Sequence, residues 1–298
     1  VANEPAQIVD AKLAEAIAAE VGKPADQLTK LDLESLVWLD ASYQDITSLR
    51  GLETAVNLLY LDVSGNTFSD LSPVAGLTKL EELYLSDSQV SDLRPLAGLN
   101  NLLVLDVAFS EAVSDLRPLS NLINLEALII PFASIGDLSP LAGLTALLEL
   151  DLAGNLIADL TPLVPLGGLE FLNLEFNDIT DVRPLLQSDL GEGSEVLLSH
   201  NPLSDASITA LDILRARGVF VSFVDPLANI PAPSMLQRLL VAGDQEGSLE
   251  ETDVVVYDNS FADAYVLAPQ ARSGVLFLDL ASDFEGELLV LSEGVIVA

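Results

Sequence analysis

Leucine recurs at a fixed interval through most of this chain. Leu36, Leu58, Leu80, Leu102, Leu125, Leu147 and Leu169 stand at steps of 22, 22, 22, 23, 22 and 22 residues, and each opens an L-x-x-L-x-L stretch such as Leu58-Leu59-Tyr60-Leu61-Asp62-Val63. A second ladder runs through Ile46, Phe68, Val90, Val113, Ile135, Ile157 and Ile179, and a third through Leu49, Leu71, Leu93, Leu116, Leu138, Leu160 and Val182. Pro73, Pro95, Pro118, Pro140, Pro162 and Pro184 keep the same phase. A repeat of this length marks a stack of coils, because one coil has a single apolar edge and cannot bury it alone.

The spacing also sets the form of each coil. The last two apolar positions of L-x-x-L-x-L lie two apart, so both point inward from a short strand while the residues beside them face out. Proline then removes a backbone donor and forces a turn-like or short helical return. The expected fold is an α/β solenoid: a parallel sheet on the concave face, turns or short 3-10 segments on the convex face. The fourth coil carries one extra residue within 108–112, which predicts a local bulge.

These residues resemble the internalin-type bacterial leucine-rich repeats, and the phrase Asp70-Leu71-Ser72-Pro73-Val74-Ala75-Gly76-Leu77 is close to that family's consensus. The resemblance implies an Asn after each strand whose side chain bonds the backbone of adjacent coils. That place holds Gln44, Asn66, Ser88, Asn155, Asn177 and Asn201, but Ala133 in the fifth coil and an ambiguous residue in the fourth. The polar ladder is therefore expected to fail in the middle.

Residues 1–35 read as a helical cap. Asp10 is placed to cap a helix carrying Leu13, Ile17 and Val21, with Pro24 interrupting it, and Thr29 with Asp32 forms a capping-box variant. Residues 36–224 hold about eight coils. The last is closed by a helix bearing Ile208, Leu211, Ile213 and Leu214, by Arg215-Ala216-Arg217-Gly218 at its end, and by a strand at Val219–Phe223. Three prolines between Asp225 and Pro233 mark a boundary. Beyond it, Val254–Tyr257, Tyr265–Leu267, Val275–Leu280, Leu288–Leu291 and Val295–Val297 predict a small β-rich module over 225–298.

Composition narrows the function. With 12 Lys and Arg against 46 Asp and Glu, the net charge is −34. No stretch carries the basic footprint that nucleic-acid binding or anionic-membrane docking needs. The apolar runs are too short and interrupted to insert into a bilayer. Zero Cys removes disulfides, thiolate nucleophiles and Cys-rich zinc sites. The start at Val1 without Met fits a processed exported protein or a trimmed chain, and the acidity also suits a salt-rich setting, where repulsion is screened.

The outward strand positions form two columns. One reads Asp40, Asp62, Tyr84, Asp106, Ile129, Asp151, Asn173, Leu197, and its neighbour reads Trp38, Tyr60, Glu82, Val104, Ala127, Glu149, Phe171, Glu195. Neither contains Lys or Arg. From these, Trp38, Asp40, Tyr60, Asp62, Glu82, Tyr84, Asp106, Ile129, Glu149, Asp151, Phe171 and Asn173 are the candidate partner-binding residues, with Trp38, Tyr60, Tyr84 and Phe171 as anchors. An acidic surface shaped only by salt is the competing reading.

Phe109, Ile129, Pro131 and Phe132 form a further apolar cluster, either a contact patch or side chains folded over a coil edge. A column of Asp70, Asp92, Asp115, Asp137, Asp159 and Asp181 is expected to accept backbone N–H bonds where each Pro turn starts, with Arg94, Arg117 and Arg183 beside it; a calcium ladder is the rival. His200 reads as structural.

No Ser-His-Asp set, P-loop or zinc pattern is present, and an open sheet leaves pairs such as Asp62 and Glu82 solvated rather than tuned for acid–base work. The expectation is a non-catalytic extracellular recognition or adhesion protein without cofactor, its partner a protein or surface glycan as the resemblance implies. The alternative is a structural module of an extracellular assembly that self-associates.

Overall fold

The computed structural model describes residues 4–224 and, beyond them, the backbone of six strands. Contacts divide the chain into two compact units, Val1–Phe223 and Val224–Ala298. The first unit carries a nine-stranded parallel sheet in sequential order. Its strands are β1 Trp38–Asp40, β2 Tyr60–Asp62, β3 Glu82–Tyr84, β4 Val104–Asp106, β5 Ala127–Ile129, β6 Glu149–Asp151, β7 Phe171–Asn173, β8 Glu195–Leu197 and β9 Phe220–Ser222. Each ladder position pairs with its equivalent in the next coil, as in Trp38 with Tyr60, Leu39 with Leu61 and Asp40 with Asp62.

The return side of each repeat is a single 3-10 turn, and Ser72–Val74, Arg94–Leu96 and Arg117–Leu119 each carry Pro in the first turn. Proline fits there because its fixed φ suits the turn and no ladder bond is asked of its nitrogen. The leucines of all three ladders lie buried in one continuous core. Each of these side chains contributes about 1.5–3 kcal/mol by leaving water, and no coil could hold that gain without its neighbours.

The extra residue of the fourth coil does not disturb the sheet: β4 and β5 pair in register through Leu105 and Leu128. The surplus is taken up in the loop after the strand. There Ser110 falls at the ladder position and accepts the N–H of Val113 on its carbonyl at 2.9 Å.

The cap matches its sequence signals, with one correction. Helix α1 spans Ala11–Val21 with Asp10 as its N-cap. It ends at Gly22, whose left-handed φ of 71° sends its N–H back to the carbonyl of Ala18. Gly22, rather than Pro24, therefore stops the helix. Helix α2, Lys30–Glu34, opens with a full capping box between Thr29 and Asp32.

At the other end, α3 spans Asp205–Ala216 and buries Leu211 and Leu214. Ile213, on the same helix, is exposed. Strand β9 then adds to β8 and closes the sheet.

In the second unit the described strands are β10 Leu236–Ala242, β11 Val254–Tyr257, β12 Ala264–Leu267, β13 Val275–Ala281, β14 Leu288–Ser292 and β15 Val295–Ile296. They form an antiparallel pair, β10 with β13, and a four-stranded sheet in the order β12-β11-β14-β15. Strand β10 carries no counterpart among the β-prone runs read from the sequence. The proline-rich boundary over 225–233 lies outside the described residues.

Candidate partner-binding face

The leucine core decides which side chains are free. In every three-residue strand of the repeats the central residue is buried and its two neighbours face outward, as in Tyr60–Asp62 and Ala127–Ile129. The register of the parallel ladder then sets those neighbours side by side across coils. All twelve candidate residues lie in these two columns and share one sheet face.

The N-terminal coils assemble an aromatic group. The rings of Trp38 and Tyr60 stack with centroids 5.2 Å apart and an interplanar angle of 15°. Tyr60 meets Tyr84 at 5.4 Å, tilted by 43°. The hydroxyl of Tyr84 donates to Oε2 of Glu82 at 2.9 Å. Burial, and then that bond to Glu82, push the Tyr84 hydroxyl far above its usual pKa, so it stays a donor at any ordinary pH. Burial also raises Tyr60, helped by the nearby charges of Asp62, Asp40 and Glu82. Phe171 lies on β7, four strands away from β3, so it is not part of this group.

The acidic column has a local task that the sequence reading missed. Asp40 accepts the N–H of Ser42 at 3.0 Å and its hydroxyl at 2.7 Å. Asp62 likewise accepts from Ser64 N–H at 2.9 Å, Asp106 from Ala108 at 2.9 Å and Asp151 from Ala153 at 3.0 Å. Asn173 makes the same bond to Glu175 at 3.1 Å. Each is a side-chain turn that steers the chain off the strand end. A short acceptor two residues before the loop was the signal available in the sequence.

One carboxylate departs from the others. Asp151 is partly buried, and desolvation raises its pKa despite the Ala153 N–H and an Asn173 Nδ2 donor at 3.2 Å. Asp106 stands two strands away across Ile129. This is not the fully solvated carboxylate expected from an open sheet.

Directly beyond the strands runs a second feature. Tyr43, Asp87, Phe109, Phe132, Phe176 and His200 all hold positive φ, between 53° and 61°, with Gly65 and Gly154 at the equivalent points of their coils. Bulky residues there are uncommon and cost of order 1–3 kcal/mol each. The rings lean toward the following coil: Phe109 stacks on Phe132 at 5.4 Å and Phe176 on His200 at 4.0 Å. Tyr43 and Phe132 cover Gly65 and Gly154 so closely that a Cβ at either glycine would meet the ring within 2.4 Å. Phe109 and Phe132 are thus folded over the coil edge, as the second reading of that cluster expected, and remain about half exposed.

The convex Asp column is consumed by its own turns. Asp70, Asp92, Asp115, Asp137, Asp159 and Asp181 each accept the N–H two residues on, at 2.8–3.0 Å. Arg94, Arg117 and Arg183 add paired bonds from Nε and Nη2. Those guanidinium bonds hold Asp115 and Asp181 down to a pKa of about 2. These are the backbone bonds that the turn reading expected.

The asparagine ladder is continuous only at the ends. Asn66 accepts the N–H groups of Gln44 and Ile46 and donates to the carbonyls of Ala41, Val63 and Ser64. Asn155, Asn177 and Asn201 repeat the pattern. In between, the hydroxyls of Ser88 and Ser110 are buried without a partner.

No described helix is long and apolar enough to cross a membrane. No family model matches the chain, and no curated protein matches it either. Among solved structures, internalin C2 of Listeria monocytogenes is 30% identical and aligns with a TM-score of 0.66 over 75% of this chain and 98% of its own. A second Listeria monocytogenes internalin is 23% identical over 74% of this chain and 93% of its own, with a TM-score of 0.39. A leucine-rich repeat protein of Leptospira interrogans is 18% identical over 57% of this chain and 62% of its own, at 0.39. The helical cap, the 22-residue coil with its Pro turn, the asparagine ladder and the extent of the first of these matches lead to one assignment: the chain belongs to the internalin family of leucine-rich repeat proteins.

Proposed function

We propose that this chain is a non-catalytic recognition or adhesion protein, exported or held at the cell surface, whose concave face grips a protein partner carrying basic side chains. The carrying observation is the Trp38–Tyr60–Tyr84 group set among Asp40, Asp62, Glu82 and Asp106, in a sheet face free of Lys and Arg through β1–β8. Solenoids of this type use their curved inner surface for binding. Buried aromatic anchors supply energy at such interfaces, and surrounding charge sets on-rate and specificity.

A protein fits better than a glycan. The carboxylates of Asp40, Asp62, Glu82 and Asp106 around the rings call for cationic groups, which proteins carry and neutral sugars lack. Self-association through this face is disfavoured, since it would oppose carboxylate to carboxylate. The test is capture of surface-exposed proteins by the immobilised full chain, compared with a Trp38→Ala/Tyr60→Ala variant that keeps its melting temperature. A partner held by the first and lost by the second supports the face; equal retention rejects it.

A further inference from the structure

We propose that the rim where the strands end, over the fourth to eighth coils, is a second docking site that takes a basic amphipathic segment of another protein. Three half-exposed phenylalanines lie along this rim, Phe109 and Phe132 in neighbouring coils and Phe176 two coils further on, and the coil between them, with Gly154 at the equivalent point, exposes Leu156. The Phe109–Phe132 and Phe176–His200 stacks make the strip semi-rigid. The left-handed backbone at these points is met by glycine at Gly65 and Gly154, where nothing projects. Fold stability alone asks for glycine, asparagine or aspartate there. Aromatic rings at the same points put apolar surface outward instead.

Charge names the occupant. The loops that carry the strip, including 108–112, 131–134, 153–156 and 175–178, contain no Lys or Arg. They do contain Glu111, Glu175 and Asp178. Apolar side chains of a partner would lie on the rings and on Leu156, while its Lys or Arg groups reach the flanking carboxylates and the ring faces. A second copy of this chain would bring acid against acid, and an anionic bilayer would be repelled. The site is separate from the Trp38–Tyr60–Tyr84 group and does not rest on the reading of the concave face.

The test uses the full chain and a short peptide alternating Arg and Leu, with Arg–Ser and Glu–Leu peptides as comparisons, read by fluorescence anisotropy. The expected result is binding of the Arg–Leu peptide alone, weakened about tenfold or more by Phe109→Ser with Phe176→Ser and also by Phe176→Arg. Trp38, the sole tryptophan, lies on the concave face, so its emission reports separately any binding of the same peptide there. A photoreactive Arg–Leu peptide on the unmodified protein should crosslink within the strip, which frees the test from any folding defect of the variants. Equal binding of the Arg–Ser peptide, unchanged affinity of the variants or crosslinks found only outside the strip would each overturn the proposal.

Discussion

One carboxyl group joins the helical cap to the first coil: Oδ2 of Asp10 accepts both the N–H and the hydroxyl of Thr47 at 2.8 Å. Its Oδ1 meanwhile caps α1 through the N–H groups of Lys12 and Leu13. Burial by itself would raise the Asp10 pKa, but these donors outweigh it and leave it lowered. Losing such a residue removes a helix cap and a tether together. Asp10→Ala is expected to cost about 1–2 kcal/mol. Hydrogen exchange should show faster opening of α1, while Thr47→Val should weaken docking and leave the helix itself capped.

The asparagine ladder predicts opposite outcomes at two equivalent positions. Asn66→Ala would strand buried backbone groups of Gln44, Ile46, Ala41 and Val63 and should cost about 3 kcal/mol. Ser88 holds the same place one coil later with an orphaned hydroxyl. Ser88→Asn should therefore stabilise by about 1 kcal/mol, as an amide reaches the carbonyls a hydroxyl cannot. Chemical denaturation checks both, and a destabilised Ser88→Asn would show that the middle coils have closed up around serine.

Much of this was legible because the signal repeats. Leu61 alone says little, but Leu61 with Leu83, Leu105 and Leu128 fixes strand, register and buried face at once. The Thr29–Asp32 box was readable because capping is local. The left-handed row was not, since φ leaves no mark on Phe109 or Phe132 taken singly. The clue was the column itself, where Gly65, Asp87 and Gly154 share the phase of Tyr43 and Phe176. The twelve candidate residues share one sheet face because the repeat fixes their phase. The turn-acceptor role of Asp62 and Asp106 was missed because each acceptor was read only by the face it lines and not by the loop two residues on. Beyond residue 224 there is no repeat to average over, and β10 went unread.

Stability should pass through a maximum in mild acid. Asp115 and Asp181 have folded pKa values of about 2, below their unfolded value. Their contribution is complete above roughly pH 4 and is lost as pH falls toward 2. Asp151 is shifted the other way by burial. Between its ordinary value and its raised one the folded state holds more protons than the unfolded, so acidification stabilises. Relief of the −34 net charge adds to this. Melting temperature should climb from pH 7 to about pH 4–5 and then fall, and Asp151→Asn should raise it at pH 7 and flatten the climb.

Salt should separate repulsion from recognition. Asp40 and Asp62 are register partners on adjacent strands, roughly 5 Å apart. Raising NaCl from 0.1 M to 1 M shortens the screening length from about 10 Å to about 3 Å. The melting temperature should rise over that range, while binding of a basic partner to the concave face weakens. Asp62→Asn should stabilise at low salt and lose most of that gain at high salt. A gain that persists at 1 M would mean the pair is not limited by charge.

Gly154 and Phe132 offer a test of the rim by thermodynamic coupling. An alanine at Gly154 faces two penalties: its φ of 66° and the Phe132 ring, whose Cδ1 lies 2.4 Å from the new Cβ. Gly154→Ala should cost about 1–2 kcal/mol, roughly half from backbone strain. Phe132→Ala removes the ring and leaves the strain. In the double variant the steric part should vanish, giving a coupling of at least about 0.5 kcal/mol. Additive costs would mean that the ring swings freely off the glycine, and the Phe109–Phe132 stack would then be too loose to present a fixed surface.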